Sequence, residues 1–481
     1  MEENFIEYYK NQSRFYSEAI VTYVAKNSEY KRKKELCMPT NQGIPKEKGI
    51  DHTVDLIREG YPFIQNRIKK YQSPIVISRV LGKRVIFLSG VEAAKVFYND
   101  KYFKRHGVAP MRVQKTLFGK NAIQGLDGKE HLKRKNLFMS LLTPEYEKQL
   151  IELCVKNLDR QAKEWEKKKS IKLFDESKKV LFLSVCEWTA VPYPKEKEKE
   201  FLEDFGYMIY SFGRIGSFYR KGKRSRKCVE HWIEQLIKDV RLGMFAVDKR
   251  TPLYQMSMCK DINGELVDIK IAARELINLL RPIIAIATYI TFVAVALYEN
   301  PECKEKLKKK DPIYLEMFCQ EVRRYYPFSP FIGAKVIKSF RWNHCVFKKN
   351  TLVMLDLYGM MHDEKLWKQP YTFNPERFKK HEKCLYDLMP QGGGNIHTGH
   401  RCAGDMITLK VMMAFTDYLV NKIEYTVPNQ DLCIPLNQIP TLPRSGFIMK
   451  NVKMKKVKKK NIIKKNAKKK NVEKKNIRTK I

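Results

Sequence analysis

A glycine-rich loop in front of one cysteine limits, more than any other feature, what this chain can fold into. Residues Met389–Asp405 read MPQGGGNIHTGHRCAGD, and an apolar helical pattern begins directly behind them. Glycine gives the backbone the freedom to approach another group closely. A helix that begins just after Cys402 points its free N–H groups at the sulfur and favours the thiolate. The loop therefore predicts a sulfur that is used in binding or in chemistry.

Three kinds of site are compatible with a cysteine in such a loop. A phosphate cradle needs a Gly-Lys-Ser/Thr ending, which GGGNIHTGHRC lacks. A catalytic pair of Cys402 with His400 is possible, although side chains two residues apart rarely point at each other and no orienting acid is evident. A thiolate ligand to haem iron uses every feature, because the glycines let the backbone pass close beneath a flat macrocycle. We favour the haem thiolate and keep the Cys–His pair as a minor alternative.

Composition and pattern predict one large, mainly α domain with a small β-sheet region. Hydrophobic residues make up 43% of the 481 residues, and no linker or repeat interrupts residues 39–450. We expect residues 1–38 to be an extension and residues 451–481, rich in Lys and Asn, to be a disordered tail. Alternating apolar and polar residues predict a β-hairpin over Ile75–Gly90. Helical periodicity predicts helices over Val91–Tyr98, Pro144–Lys169, Lys197–Phe212, Val229–Val247, Leu266–Tyr298 and Pro312–Tyr326.

The net charge of +40 and the eleven cysteines restrict the partners and the compartment. About a third of the charge lies in the tail, which holds about 15 basic residues and one acidic residue. The tail is either a solvated appendage or a tether to nucleic acid or anionic lipid, and we expect no nucleic acid at the domain itself. The cysteines form no C-x-x-C pair, which indicates a reducing compartment. With no secretory pattern and no apolar run long enough to cross a bilayer, we expect a cytoplasmic protein.

The residues around Cys402 resemble a known family. GHRCAG is similar to the cysteine-ligand signature of the haem-thiolate cytochromes P-450, and QGGG resembles their fatty-acid peroxygenase branch. The resemblance implies the cytochrome P-450 fold for the large domain, haem b as the cofactor, and Cys402 as the iron ligand, with Gly394 and Gly399 in the haem-binding loop. Ala403 replaces a common proline and Asp405 a usual glutamate, and neither change removes a ligand.

A charged helix face supports the resemblance. QEVRRYYPF places Glu321 and Arg324 three residues apart, which by spacing alone is an ordinary surface pair. The resemblance implies instead a structural trio with Arg377 of FNPERF, since a buried carboxylate is satisfied by two guanidinium groups.

A second basic stretch is a candidate for binding the haem propionates. DGKEHLKRKNLF places His131 and Arg134 on one helix face, which by pattern alone is a solvated basic face. In the family His131 matches a propionate contact, and Arg105 of YFKRHG resembles another. We therefore expect His131, Arg134 and Arg105 to bind the cofactor.

The most informative charge lies in ELINLLRPIIAIATYITFVAVALYE. No acidic residue occurs between Glu275 and Glu299, so Arg281 has no local partner within an apolar run. If Arg281 is buried, its charge needs a carboxylate from elsewhere in the chain or from a ligand. The pattern alone also allows a helix that begins at Pro282 with Arg281 in water. Conventional cytochromes P-450 carry an acid followed by a threonine here, whereas the peroxygenase branch has the Arg-Pro pair that this chain has.

The resemblance implies hydrogen-peroxide-dependent hydroxylation of long-chain fatty acids at the α and/or β carbon, with some decarboxylation and without a reductase partner. Arg281 would hold the substrate carboxylate, which would act as the general acid–base, and Pro282 and Gln124 complete the catalytic set. Gln124 matches the glutamine of hydroxylating relatives. An apolar channel for the acyl chain is expected at Phe118, Ile209, Phe212 and Phe328. The alternatives are a reductase-dependent monooxygenase and a protein that binds nucleic acid or membrane through its basic tail.

Overall fold

The computed structural model describes residues 43–381 and 384–455. The helices are α1 (Thr53–Glu59), α2 (Phe63–Tyr71), α3 (Val91–Phe97), α4 (Met111–Val113), α5 (Gly128–Ser140), α6 (Pro144–Trp165), α7 (Leu173–Thr189), α8 (Glu198–Tyr210), α9 (Gly216–Arg241), α10 (Pro252–Ser257), α11 (Ile269–Ala285), α12 (Ala287–Glu299), α13 (Pro301–Leu307), α14 (Pro312–Tyr325), α15 (Leu357–Met361) and α16 (Asp405–Asp417). The strands are β1 (Ile75–Val80), β2 (Lys83–Leu88), β3 (Phe103–Lys104), β4 (Ser170–Lys172), β5 (Phe331–Val336), β6 (Phe340–Trp342), β7 (Cys345–Phe347), β8 (Leu352–Asp356), β9 (Ile423–Thr426) and β10 (Ile448–Met454). The predicted class, mainly α with small sheets, is confirmed.

The strands form small sheets at the edge of the helical body. The largest sheet has the order β1-β2-β8-β5-β3, and a second sheet has the order β4-β10-β9. The predicted hairpin is confirmed: β1 and β2 pair in antiparallel register, and Val80 lies opposite Lys83. Its two turn residues, Leu81 and Gly82, both have positive φ, which is the conformation that a two-residue hairpin turn requires.

The start of helix α9 and the end of the folded domain differ from the sequence prediction, and helix α7 was not predicted. Helix α9 begins at Gly216 rather than at Val229, because its first turns bury Gly222, Ser225 and Arg226, which carry no apolar periodicity. Strand β10 continues to Met454 and pairs with β9, so the folded domain extends past the predicted boundary at residue 450. The predicted N-terminal extension over 1–38 and the tail from residue 456 lie outside the described residues.

Helices α11 and α12 run end to end through the centre of the domain. Asp268 caps the first turn by accepting from the backbone N–H groups of Lys270 and Ile271. Pro282 lies inside α11, and the helical pattern changes at Ile286. The span Ile269–Glu299 is long and apolar enough to cross a membrane, but 94% of its most apolar window is buried inside the domain. Because α11 begins at Ile269 and Arg281 is buried within it, the alternative in which a helix begins at Pro282 with Arg281 in water is wrong.

An ion-pair trio fixes α14 to the 3₁₀ segment Pro375–Lys380. Arg324 donates through Nε and Nη2 to the Glu321 carboxylate at 2.7 and 2.8 Å. Arg377 Nε donates to the same carboxylate at 3.0 Å. Glu321 and Arg324 are both fully buried, so the interpretation as a surface pair is wrong and the structural trio is the observed arrangement. Two guanidinium groups and the Asn374 backbone N–H, at 2.8 Å, satisfy the buried carboxylate.

Candidate active site

Cys402 lies between the glycine-rich loop and α16, and polar hydrogens face its sulfur. Gln391 Nε2 donates to Cys402 Sγ at 3.7 Å, and the Cys402 backbone N–H donates to the Gln391 carbonyl at 3.2 Å. Burial raises the pKa of the Cys402 thiol, and so does the charge of Asp405; the Gly404 backbone N–H opposes both by donating to the sulfur. The side chain is nevertheless partly accessible. The sulfur therefore has the donors of a thiolate ligand and is open to a bound group.

Two glycines of the loop are required by its backbone conformation. Gly394 has a φ of +80°, which residues with a side chain rarely adopt. A Cβ at Gly399 would lie 2.8 Å from the Asn395 carbonyl oxygen, so that position excludes a side chain. Tyr98 closes the loop from outside, because its hydroxyl accepts from the Gly393 backbone N–H at 2.9 Å. The loop reaches the sulfur in one conformation that glycine makes possible.

A charged network behind the sulfur was missed at the sequence level. Arg323 forms a close ion pair with Asp405 and donates to Gln391 Oε1 at 3.0 Å. Arg401 reaches the other Asp405 oxygen at 2.5 Å. The same amide that donates to the Cys402 sulfur is therefore oriented by Arg323. The available signal was the glutamine of QGGG together with the arginine next to Arg324, but neither has periodicity or spacing that predicts this contact.

His131 and Arg105 lie together at one edge of the candidate site. The His131 and His400 rings are 4.0 Å apart, and His400 Nε2 is 3.6 Å from Asp127 Oδ1. Burial lowers the pKa of His131 to about 3, so its ring is neutral at physiological pH. Arg105 is buried over the Phe97 ring, 4.4 Å from its centroid, and its Nε has no hydrogen-bond partner among the described residues.

This cluster can bind an anionic group. It also contains an acid beside His400, which the sequence had not revealed. This orienting acid is Asp127, and it also accepts from the backbone N–H groups of Arg105 and His106 at 2.7 and 2.8 Å. The unpartnered Arg105 Nε and the neutral imidazole of His131 remain available to carboxylates such as haem propionates. The structure thus brings Arg105, His131 and Cys402 to one site.

Arg134 points away from that cluster. Its Nη1 donates to Glu275 Oε1 at 2.6 Å, and Glu275 is fully buried. The Ile123 backbone N–H donates to the same oxygen at 2.9 Å. A buried carboxylate needs a cation, and Arg134 supplies it. The geometry therefore does not place Arg134 with His131, contrary to the expectation from their spacing.

Arg281 is a buried cation without a carboxylate. Its side chain is 7% exposed, its Nε has no hydrogen-bond partner, and its Nη2 reaches only Asn278 Oδ1, at 3.5 Å. Among the described residues no Asp or Glu forms a salt bridge with it. Burial lowers the pKa of Arg281 to about 9, helped by the charge of buried Arg226, while the Cys402 sulfur acts in the opposite direction. The guanidinium thus stays charged at neutral pH, on the sulfur's side of the domain.

Asn278 ties Arg281 to the loop that carries two other predicted site residues. Its Nδ2 donates to the Phe118 carbonyl at 3.0 Å and lies 3.5 Å from Gln124 Oε1. Arg226 holds the same loop by donating to the Leu117 carbonyl at 3.0 Å. Phe118 and Gln124 are therefore placed beside Arg281 by side chains of α9 and α11, which the sequence did not predict.

The remaining predicted channel residues have different environments. Ile209 is buried in the helical core, and Phe328 stacks on Tyr289 with ring centroids 4.3 Å apart. Phe212 is partly exposed in the connection between α8 and α9. Their role as contacts of an acyl chain stays a prediction.

Comparisons with known proteins agree with this geometry. The family model described as Cytochrome P-450 matches residues 207–452, more than half of the chain. Cytochrome P-450 3A17 of Cavia porcellus is 26% identical over 39% of this chain and 41% of its own length. Cytochrome P-450 1A2 of Rattus norvegicus is 30% identical over 28% of this chain and 26% of its own length. The chain thus spans less than half the length of the first curated relatives it matches.

Solved structures match over nearly the whole domain. Cytochrome P-450EX alpha (CYP152N1) with myristic acid is 40% identical, covers 86% of this chain and 100% of its own, and gives a TM-score of 0.83. Cytochrome P-450SP alpha (CYP152B1) with (R)-ibuprophen is 37% identical, with 84% and 100% coverage and a TM-score of 0.83. Ligand-free cytochrome P-450 OleT is 36% identical, with 86% and 100% coverage and a TM-score of 0.84.

Fold, cysteine loop and comparisons together define a haem-thiolate protein, and the chain belongs to the cytochrome P-450 family. Within that family it groups with the CYP152 proteins, so both parts of the resemblance expected from GHRCAG and QGGG are confirmed. Haem b is the cofactor of this family. The residues present fit it, because an accessible sulfur with facing N–H donors lies near a buried cation and a neutral imidazole.

Proposed function

We propose that this protein is a hydrogen-peroxide-dependent peroxygenase of long-chain fatty acids, which hydroxylates the α and/or β carbon and decarboxylates a minor share of substrate. One observation carries the proposal: Arg281 is buried and charged, and no described carboxylate compensates it. A charge in that position costs several kcal/mol unless an anion joins it. A fatty-acid carboxylate has the charge and the two oxygens that a guanidinium fork binds.

Haem is held, in this proposal, by three kinds of contact. Cys402 supplies the thiolate to the iron, and Gln391 and Gly404 donate hydrogens to that sulfur. Arg105 and His131 bind the propionates: Arg105 Nε has no hydrogen-bond partner among the described residues, and the His131 ring is neutral. Hydrogen peroxide is the oxidant. The haem, when bound, would activate it, and the thiolate would assist cleavage of its O–O bond.

Arg281 contributes the position and the proton chemistry. Its guanidinium binds the substrate carboxylate, which leaves the α and β carbons as the nearest part of the acyl chain. A carboxylate oxygen of the substrate then accepts a proton from one oxygen of hydrogen peroxide and donates it to the other oxygen, which leaves as water. The chain has no acidic residue between Glu275 and Glu299 that could perform this step, so the substrate supplies it.

The surrounding residues hold this arrangement in place. Pro282 follows Arg281 inside α11 and leaves one carbonyl of the preceding turn without its helical N–H partner. Gln124 lies 3.5 Å from Asn278 of α11, and in this proposal it contacts the carboxylate end of the substrate. Phe118, Ile209, Phe212 and Phe328 are the proposed contacts of the acyl chain.

A fatty-acid ligand is also found in a relative, since the matched cytochrome P-450EX alpha structure contains myristic acid. No reductase is part of the proposed reaction, because hydrogen peroxide is both the source of the inserted oxygen atom and the oxidant. We place the protein in the cytoplasm, in keeping with the ten described cysteines, all of which are free thiols.

The test is turnover without any electron donor. Purified haem-loaded protein receives hydrogen peroxide and a long-chain fatty acid, and the products are analysed for 2- and 3-hydroxy acids. Arg281→Ala should lose most of the activity while it retains haem, and Lys270→Ala, an exposed cation on the same helix, should retain activity. A strict requirement for a reductase, or full activity in Arg281→Ala, would refute the proposal.

A further inference from the structure

Two arginines from different helices hold the backbone of the loop that carries Phe118. Arg226 of α9 is 2% exposed, and it donates through Nη1 to the Leu117 carbonyl at 3.0 Å and through Nη2 to the Phe118 carbonyl at 3.4 Å. Arg274 of α11 donates through Nη1 to the Lys120 carbonyl at 3.0 Å. The loop is therefore fixed on both sides of Phe118 by side chains that belong to other elements.

One carboxylate joins these two arginines. Glu230 Oε1 accepts from Arg226 Nε at 2.6 Å and lies 3.3 Å from Arg274 Nε. It compensates the buried charge of Arg226, which would otherwise be costly. A guanidinium has several N–H donors in a fixed plane, so each arginine binds the carboxylate and a loop carbonyl at the same time. We call Arg226, Glu230 and Arg274 the arginine clamp.

The loop lies so close to the arginine clamp that residue 119 has to be a glycine. Gly119 has a φ of +86°, and a Cβ at this position would lie 2.4 Å from Arg226 Nη2 and 2.9 Å from Arg274 Cγ. A side chain would strain the backbone and displace the guanidinium groups. The contact between loop and clamp is therefore close enough to be disturbed from either side.

The same loop is joined to the proposed carboxylate site. Asn278 Nδ2 donates to the Phe118 carbonyl at 3.0 Å, and Asn278 Oδ1 lies 3.5 Å from Arg281 Nη2. The Phe118 side chain is only partly buried, so part of its surface is open to a ligand. The distance between the guanidinium that binds the carboxylate and the ring at position 118 is therefore set by how the loop is held.

We propose that the arginine clamp determines regioselectivity: it holds Phe118 in a fixed position relative to Arg281 and thereby decides which carbon of the bound fatty acid is hydroxylated. The inference rests on the proposed function. Arg226 is a positioning residue, because it contacts the loop and acts through Phe118. With the carboxylate anchored at Arg281, the ring limits the paths that the first carbons of the chain can take beside the haem. A looser loop allows more than one path, so that oxidation spreads over more carbons.

Two variants disturb the contact from opposite sides. Arg226→Lys keeps the charge beside Glu230, but one ammonium group cannot replace the planar fork that also reaches two loop carbonyls. Its matched control is Arg224→Lys, at an exposed position of the same helix. Gly119→Ala places a methyl group against the clamp. Its control is Gly82→Ala, where φ is +69° and no described atom lies within 4 Å of the added Cβ, so that the backbone strain is similar and the clash is absent.

The measurement is the product distribution from haem-loaded protein, hydrogen peroxide and myristic acid, together with the Tm of each variant. We expect the ratio of the main to the second regioisomer to fall by about threefold or more in Arg226→Lys and in Gly119→Ala, with both controls unchanged. In a Phe118→Ala background Arg226→Lys should cause little further change, because the clamp acts through the ring that is then missing.

An unchanged ratio in Arg226→Lys overturns the inference, and a lower Tm with that result would show that the clamp only stabilises the fold. If Arg226→Lys fails to retain haem, Gly119→Ala decides by the same criterion, and loss of haem in both variants overturns the inference as well. An equally large effect of Arg226→Lys with and without the Phe118 ring also overturns it. If the wild-type protein forms no hydroxy acid with peroxide, the proposed function fails instead.

Discussion

The buried charge of Arg281 should make the substrate-free protein less stable than a variant with an apolar side chain at this position. Its folded-state pKa is lowered from 12.5 to about 9, and at about 1.4 kcal/mol per pKa unit the cost of the buried charge is on the order of 5 kcal/mol. Below about pH 9 the guanidinium is charged in both the folded and the unfolded chain, so the full cost applies at neutral pH. Above that pH the folded chain releases the proton first, and the cost decreases as the pH rises.

The perturbation that tests this is Arg281→Met, which keeps an apolar side chain of similar length. Replacing an uncompensated buried charge with an apolar group should raise the free energy of unfolding by about 1–4 kcal/mol. Denaturant unfolding of the haem-loaded, substrate-free protein measures the change, with exposed Lys270→Met as the control. A saturating fatty acid should then stabilise the wild-type protein, by roughly 3 kcal/mol at a concentration of about 100 Kd, and should leave Arg281→Met nearly unchanged.

The reasoning is refuted if Arg281→Met is less stable than the wild-type protein in the absence of substrate. That result would mean that the guanidinium already has a partner that compensates its charge. Equal stabilisation of both proteins by the fatty acid would show that the carboxylate binds elsewhere.

Three further predictions follow from other parts of the structure. Glu321→Ala should lower the free energy of unfolding by about 3–5 kcal/mol, because it leaves Arg324 buried without an anion; calorimetry should show a lower Tm, and an unchanged Tm would contradict the trio. Gln124→His should raise the ratio of decarboxylated to hydroxylated product, measured by gas chromatography, since it changes the group beside Asn278 at the carboxylate end of the site; an unaltered ratio would remove Gln124 from the catalytic set. Removing residues 456–481 should leave peroxide-driven oxidation intact, because β10 ends at Met454, and should abolish any salt-sensitive binding to anionic polymers; loss of oxidation would show that the tail serves the site.

Local patterns were enough to predict the elements that depend on neighbouring residues. The β1–β2 hairpin follows from alternation around a two-residue turn, and most long helices follow from the apolar stripe that each presents to the core. The role of the cysteine loop could also be predicted from neighbouring residues, because the glycines, Cys402 and the start of α16 are adjacent in the chain. The family followed from those same few residues.

Contacts between distant parts of the chain were decided only by the tertiary structure. Spacing placed Arg134 beside His131, but its partner is Glu275, which α11 brings to it across 141 residues. Spacing also left Glu321 at the surface, and it left His400 without the acid that Asp127 provides. A sequence pattern reports which face of an element is apolar, whereas burial and charge pairing depend on what packs against that face. The amino-acid sequence therefore determined which cation would lack a local partner, and the packing around α11 determined that Arg281 is buried without one.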